Sequence, residues 1–271
     1  MSPALHLSGD PGLEGTLAFF GGPYSNHIAL RAAAEDARRR GAKLLFCLGD
    51  LGGFGPNPGK IFPILDEFQI HTIAGNYDQA LARREPDCGC GYTHPSDNHF
   101  AQLSYDYTDR HTTDAERERL ATLPPAIRFT RGGRRHLLCH GSPRQTNEFL
   151  WESASSDGFL TRLLREAEAD TVLCSHTGIH WQRRLPDGGH LVNVGSVGRP
   201  ANDGRTEVWY ALLEPGSEEA RFIPVAYDFE SLAREMEEEH LPPEFVETIR
   251  TGWWTTCLEI LPAKERARGK F

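Results

Sequence analysis

Apolar positions along this chain fall in short runs that stop abruptly. Residues 16–20 (TLAFF), 44–48 (LLFCL), 72–74 (TIA) and 171–174 (TVLC) are apolar almost throughout and end in glycine or a polar residue. Runs of this kind, bounded by turn residues, read as strands buried on both faces. Residues 127–130 and 136–139 read as a hairpin across Arg131-Gly132-Gly133-Arg134, and 182–185 with 190–194 as a second through Pro186-Asp187-Gly188-Gly189. Residues 207–213 and 220–224 form a further strand pair. Helical composition and end signals mark residues 27–40, closed by Gly41, and 61–68, 100–110, 114–123, 160–169, 229–240 and 243–250. The Gly- and Pro-rich residues 1–15 read as a flexible tail, and residues 88–98 (CGCGYTHPSDN) as a loop insertion. Strand–helix alternation that gives way to hairpins predicts an α/β fold of two mixed sheets with helices outside. The expected organisation is a tail over 1–15, a catalytic-type domain over 16–226 and a helical extension over 227–271 packed on it.

Composition narrows the function classes. The chain has 271 residues, 39% hydrophobic and 25% charged, enough for a real core. Its 29 Lys and Arg against 38 Asp and Glu give a net charge of −9, which argues against bulk nucleic-acid or anionic-membrane binding. No apolar run has the length of a membrane span, and the first residues lack a basic n-region with an apolar h-region. Six cysteines are too few for a disulfide scaffold; Cys47, Cys139 and Cys174 lie inside strand-like runs, as reduced buried thiols do. A cytoplasmic location is the expectation.

Candidate chemistry sits where the strands stop. Asp50, Asn76, His140 and His176 each follow a short buried run directly. In open α/β sheets the carboxyl ends of the strands are where ligands bind. A carboxylate, an amide oxygen and two imidazoles make a mixed N/O set suited to Zn, Mn or Fe(II) rather than Ca or Mg. Each residue taken alone reads as well as a turn cap or a satisfied polar side chain. Four at equivalent positions read as one metal site.

The series Gly49-Asp50, Gly75-Asn76-x-Asp78, His140-Gly141 and x-His176-Thr177 resembles the calcineurin-like metallophosphoesterase superfamily, and most closely its small bacterial phosphodiesterase/phosphatase branch. The flanking segments LGDLGGFGPNP, AGNYDQAL, CHGSPRQTNEFL and VNVGSVGRP have the same character. The resemblance implies a four-layer α/β/β/α sandwich with metal ions at the strand ends. It implies Asp50 as the bridging aspartate, Asn76, His140 and His176 as further ligands, and Asp78 as a residue that orients its neighbours. It also shows where this chain departs. The first family motif, Asp-x-His-Gly-Asn, is Gly22-Pro23-Tyr24-Ser25-Asn26 here, and the last, Gly-His-x-His, is Ser175-His176-Thr177-Gly178. Three ligands of the second metal are therefore missing. The family's usual histidine after Gly-Asn is Tyr77.

The expected function is metal-dependent hydrolysis of a small phosphomonoester or phosphodiester at a reduced, mononuclear centre, with a second metal doubtful. Tyr24, Tyr77, Asp78 and His180 are the candidates for the reacting side, and Asn26 and Arg144 for substrate contact. A solvated surface arginine is the equal alternative for Arg144. Two readings compete with hydrolysis: single-metal, non-hydrolytic chemistry, including iron chemistry, and a metal- or nucleotide-binding relative without turnover. A Cys88-x-Cys90 pair with His94 and His99 invites a zinc reading, but the spacing is unlike the usual pairs, and a loop beside the active site is preferred. Trp253 and Trp254 are expected to pack the C-terminal segment or a partner subunit, which leaves a homo-oligomer open. The expected partner is a small phosphorylated molecule.

Overall fold

The computed structural model describes residues 4–267. The expected basic end, Lys264 to Lys270, therefore lies partly outside the described residues. Among those described, the strands in chain order are β1 (Leu5–Leu7), β2 (Thr16–Phe20), β3 (Ala42–Cys47), β4 (Ile70–Thr72), β5 (Ala126–Arg131), β6 (Arg134–Cys139), β7 (Thr171–Cys174), β8 (His180–Arg184), β9 (His190–Val194), β10 (Val208–Leu213) and β11 (Ala220–Val225). The helices are α1 (His27–Arg39), α2 (Ile61–Phe68), α3 (Asn76–Arg83), α4 (Pro95–Arg110), α5 (Asp114–Ala121), α6 (Asp157–Glu166), α7 (Phe229–Glu238), α8 (Pro243–Thr251) and α9 (Ala263–Arg266). None is long and apolar enough to cross a membrane.

Two mixed sheets result, ordered β11-β10-β2-β3-β4 and β1-β5-β6-β7-β9-β8. Strand alternation explains why the runs are apolar throughout. In β3, Leu45 and Cys47 face the outer layer with Ala29, Leu30 and Ala33 of α1, while Phe46 faces inward. Phe46 stacks between Phe19 and Phe129 at centroid distances of 5.2 and 5.8 Å, at the seam of the two sheets. On the far side Leu137, Val172 and Cys174 pack under Leu160, Leu163 and Leu164 of α6. A residue facing either side of a strand thus meets apolar atoms, and the sandwich has the expected four layers.

Three expectations are corrected. The N-terminal residues are not a flexible tail as far as they are described: Leu5–Leu7 pair in parallel with Ile127 to Phe129, and Leu13 is buried between the sheets. The strand placed at 72–74 lies two residues earlier, and residues 76–83, for which no element was predicted, form α3. Helix α4 begins at Pro95 rather than residue 100, because the His94 side chain caps it and proline fits the first helical turn. The C-terminal helices pack on the same unit: Leu232, Met236, Phe245 and Ile249 of α7 and α8 join Tyr24, Phe54 and Tyr107 in one cluster.

Candidate metal centre

Two loops, after β3 and β4, meet backbone to backbone. Gly49 adopts φ +86°, and a Cβ there would stand 2.2 Å from the Gly75 nitrogen. A Cβ on Gly75 would stand 2.2 Å from Oδ1 of Asp50 and 2.5 Å from its nitrogen. Only glycine fits at either position. Asp78, in the first turn of α3, ties the loops together. Its carboxylate accepts the N–H groups of Asp50 (2.8 Å), Leu51 (3.0 Å) and Gly75 (2.8 Å). Burial and the neighbouring Asp50 charge raise the Asp78 carboxyl to about 6.

The chain ends of β3, β6 and β7 bring three ligand groups together. Oδ2 of Asp50 lies 3.1 Å from Nε2 of His140, which lies 3.2 Å from Nδ1 of His176. One ligand atom from each of Asp50, His140 and His176 falls within 4.8 Å of the others, and all three residues are buried. Nδ1–H of His140 donates to the Leu48 carbonyl at 2.5 Å, which turns its Nε2 lone pair toward the cluster. Burial opposes ionising Asp50, but His140 and His176 outweigh it and hold the carboxyl below the ordinary range. Burial likewise opposes a charge on His140, and Asp50 outweighs it. Burial, then the His140 charge, pushes His176 down to about 3.

Asn76, the remaining residue of the predicted set, directly precedes Tyr77, whose N–H donates to Oδ1 of Asp50. The Nδ2 of Asn76 donates to the Cys88 carbonyl (2.9 Å) and to Sγ of Cys90 (3.4 Å). Its Oδ1 is buried and has no hydrogen-bond partner among the described residues. A buried amide oxygen left without a donor is costly, and a cation is one group that answers it. The carboxylate and two imidazoles of Asp50, His140 and His176 are a donor set that fits a borderline divalent ion. Tyr24, Ser25, Asp50 and His176 all adopt positive φ, between +47° and +65°, so strained backbone gathers where the loops converge.

A cavity of about 60 Å³ opens beside the cluster, lined by Asp50, His176, Tyr24, Tyr77 and Arg199 among others. Burial raises both the Tyr24 and the Tyr77 phenol. Tyr77 donates its hydroxyl to Ser104 Oγ at 2.9 Å, and its N–H to Asp50 Oδ1 at 3.1 Å. Four sequence candidates for the reacting side or substrate contact do not line the cavity and are corrected here, the first being Asp78, whose carboxylate is taken up by the backbone N–H groups of Asp50, Leu51 and Gly75. Asn26 caps α1, accepting from the Ala29 N–H, and donates to the Gly198 carbonyl, so its polar atoms are used in structure. Arg144 is exposed and paired with Glu148, with its guanidinium over Phe159. His180 packs against Trp209 and Phe222, because alternation along β8 sends Ile179 and Trp181 the other way.

The Cys88–Cys90 pair is a disulfide, and neither histidine joins it: His94 caps α4 and His99 packs on Phe100. The loop does stand beside the site, since Cys90 lines the cavity. One residue was missed, Arg199, and its place depends on Trp254, which the sequence marked only as packing the C-terminal segment or a partner. Arg199 lies in the glycine-rich loop after β9, and Trp254 lies in the segment after α8; the guanidinium carbon sits 3.5 Å from a Trp254 ring centroid. A lone arginine between Gly198 and Pro200 was the available signal.

The calcineurin-like phosphoesterase superfamily domain profile matches residues 25–217. The uncharacterized protein MJ0912 of Methanocaldococcus jannaschii is 23% identical over 245 residues, covering 84% of this chain and 95% of the relative. The crystal structure of hypothetical protein PH1004 from Pyrococcus horikoshii OT3 superposes with a TM-score of 0.74 at 21% identity, covering 89% of this chain and 99% of that one. A metallophosphoesterase from Sphaerobacter thermophilus does so at 0.69 and 22%, covering 88% and 99%. At these identities the structural likeness speaks for the fold alone.

Proposed function

The chain belongs to the calcineurin-like phosphoesterase superfamily, and on that premise we propose that it hydrolyses a small phosphate ester at a centre built for one divalent transition metal, Mn, Fe or Zn. The observation that carries this reading is the convergence of Asp50, His140 and His176 within 4.8 Å, all three buried. The places where the family carries further ligands offer none of the usual kind. Gly22 and Gly178 have no side chain, and burial keeps the Tyr24 phenol protonated.

A divalent ion held there supplies Lewis-acid polarisation of a P–O bond and lowers the pKa of an attacking water. The protein's residues supply the rest. Asp50, Asn76, His140 and His176 hold the ion. Leu48 fixes the tautomer of His140, and the Cys88 carbonyl fixes which face of the Asn76 amide turns inward. Asp78 positions Asp50 through the backbone and does not itself reach the cavity. Tyr24 stands at the cavity wall as a protonated phenol able to donate to a phosphate oxygen.

The test is turnover of p-nitrophenyl phosphate and bis-p-nitrophenyl phosphate before and after exhaustive chelation. Hydrolysis should fall to background on chelation and return on adding Mn, Fe(II) or Zn. Hydrolysis that survives complete metal removal contradicts the reading.

A further inference from the structure

The geometry points to Arg199 as a substrate-binding residue that holds the phosphoryl group of the ester against the metal centre, in the space where a second metal ion would otherwise stand. The assignment of the bound group rests on the hydrolase reading above; the anion site itself does not.

Arg199 is 8% exposed, and its Nε is buried without a hydrogen-bond partner among the described residues. None of the ion pairs among those residues involves it. A buried, always-charged guanidinium without a carboxylate is costly unless something else answers its charge. Aromatic faces do part of this: Trp254 at 3.5 Å, with Tyr24 and Phe54 at 5.8 Å. They leave the in-plane N–H donors of the fork unused, and those are the groups that recognise phosphate bidentately. Arg199 lines the same cavity as Asp50 and His176, so an anion on the fork abuts the metal cluster.

The neighbourhood shows why the arginine fits. A Cβ on Gly178 would lie 3.1 Å from the Trp254 ring and 3.4 Å from Nη2 of Arg199. A Cβ on Gly22 would lie 2.4 Å from the Tyr24 ring. Arg199, Trp254 and Tyr24 thus fill the room beside residues 22, 24 and 178, where the motif comparison places three missing ligands. Trp254 is locked in turn: its Nε1 donates to the Pro200 carbonyl (2.7 Å) and its N–H to Oδ1 of Asn202 (2.9 Å). The C-terminal segment therefore holds the loop that carries Arg199. Among the cavity-lining residues Arg199 is the one Lys or Arg.

Calorimetric titration of the metal-containing protein with inorganic phosphate tests this, with metal content measured on every sample. Arg199→Met keeps length and removes the charge; it should weaken phosphate binding at least about tenfold at unchanged metal content. Arg199→Lys should recover part of the loss and also show a raised KM. A purely structural arginine, there only to hold Trp254, predicts a less stable protein with unchanged phosphate affinity. Unchanged affinity in Arg199→Met overturns the proposal, as does failure of the wild type to bind phosphate. Should Arg199→Met not fold, Arg199→Lys decides alone: a weakened affinity supports the proposal and an unchanged one overturns it. The hydrolase reading fails separately, through hydrolysis that survives chelation, so the two failures are distinguishable.

Discussion

Replacing His140 with alanine is expected to lower kcat/KM for a phosphate ester by about a thousandfold or more, with binding of the divalent ion weakened at least about a hundredfold. His140 is the central member of the cluster: its Nε2 lies within 3.2 Å of both Asp50 and His176. Removing it leaves Asp50 buried with its charge unanswered, which is costly in itself, and leaves the Leu48 carbonyl without its donor. The variant should therefore also be less stable in the absence of metal. Metal titration followed by calorimetry, alongside steady-state kinetics, checks both effects. A variant that binds the ion with wild-type affinity would show that His140 is a structural residue of the inner layer.

The second large effect is expected at a residue that has no side chain of its own. Gly75→Ala adds one methyl group, yet its Cβ would overlap Oδ1 and the backbone nitrogen of Asp50. Neither atom can move freely, because Asp78 holds the Asp50 and Gly75 N–H groups together. The expected cost is about 3 kcal/mol, which for a domain of this size lowers Tm by roughly 6–10 °C. Metal affinity should fall with it, since the displaced atom belongs to a ligand. Gly158→Ala, where nothing lies within 4 Å of the added carbon, is the control and should leave Tm unchanged or slightly raised. Thermal unfolding with and without added metal reads both. A Gly75→Ala protein as stable as the control would mean the two loops are not pressed together as described.

The residues that sequence reasoning found are those whose signal is local. β2, β3, β6 and β7 show as apolar runs because both of their faces are covered, and a sheet buried on both sides writes its strands in that form. Asp50, Asn76, His140 and His176 stand out because each follows such a run directly. What was missed depends on contacts distant in sequence. β1 is three residues long and exists because an edge is available at Ile127 to Phe129, more than a hundred positions away. Helix α3 starts in Gly-Asn-Tyr-Asp, which looks like a turn until Asp78 is seen capping it and bracing the Gly49-Asp50 loop. His180 was a candidate for the reacting side from its place after His176, but strand alternation points its ring at Trp209 and Phe222. Arg199 carries no motif, and the ring it stacks on is Trp254, contributed by a segment that reads as a tail. Residues that replace a lost ligand set have no reason to occupy the lost ligands' positions, so the comparison of motifs shows the loss and not the substitute.

The account's central claim is a centre for one metal ion, held by Asp50, Asn76, His140 and His176. Elemental analysis of the protein purified without added metal measures it directly. One transition-metal ion per chain is the predicted result. Two ions per chain would contradict it, because Gly22, Tyr24 and Gly178 offer no ligand of the usual kind for a second one; none, even after incubation with Mn, Fe(II) or Zn, would leave the phosphoesterase fold without the centre its chemistry requires.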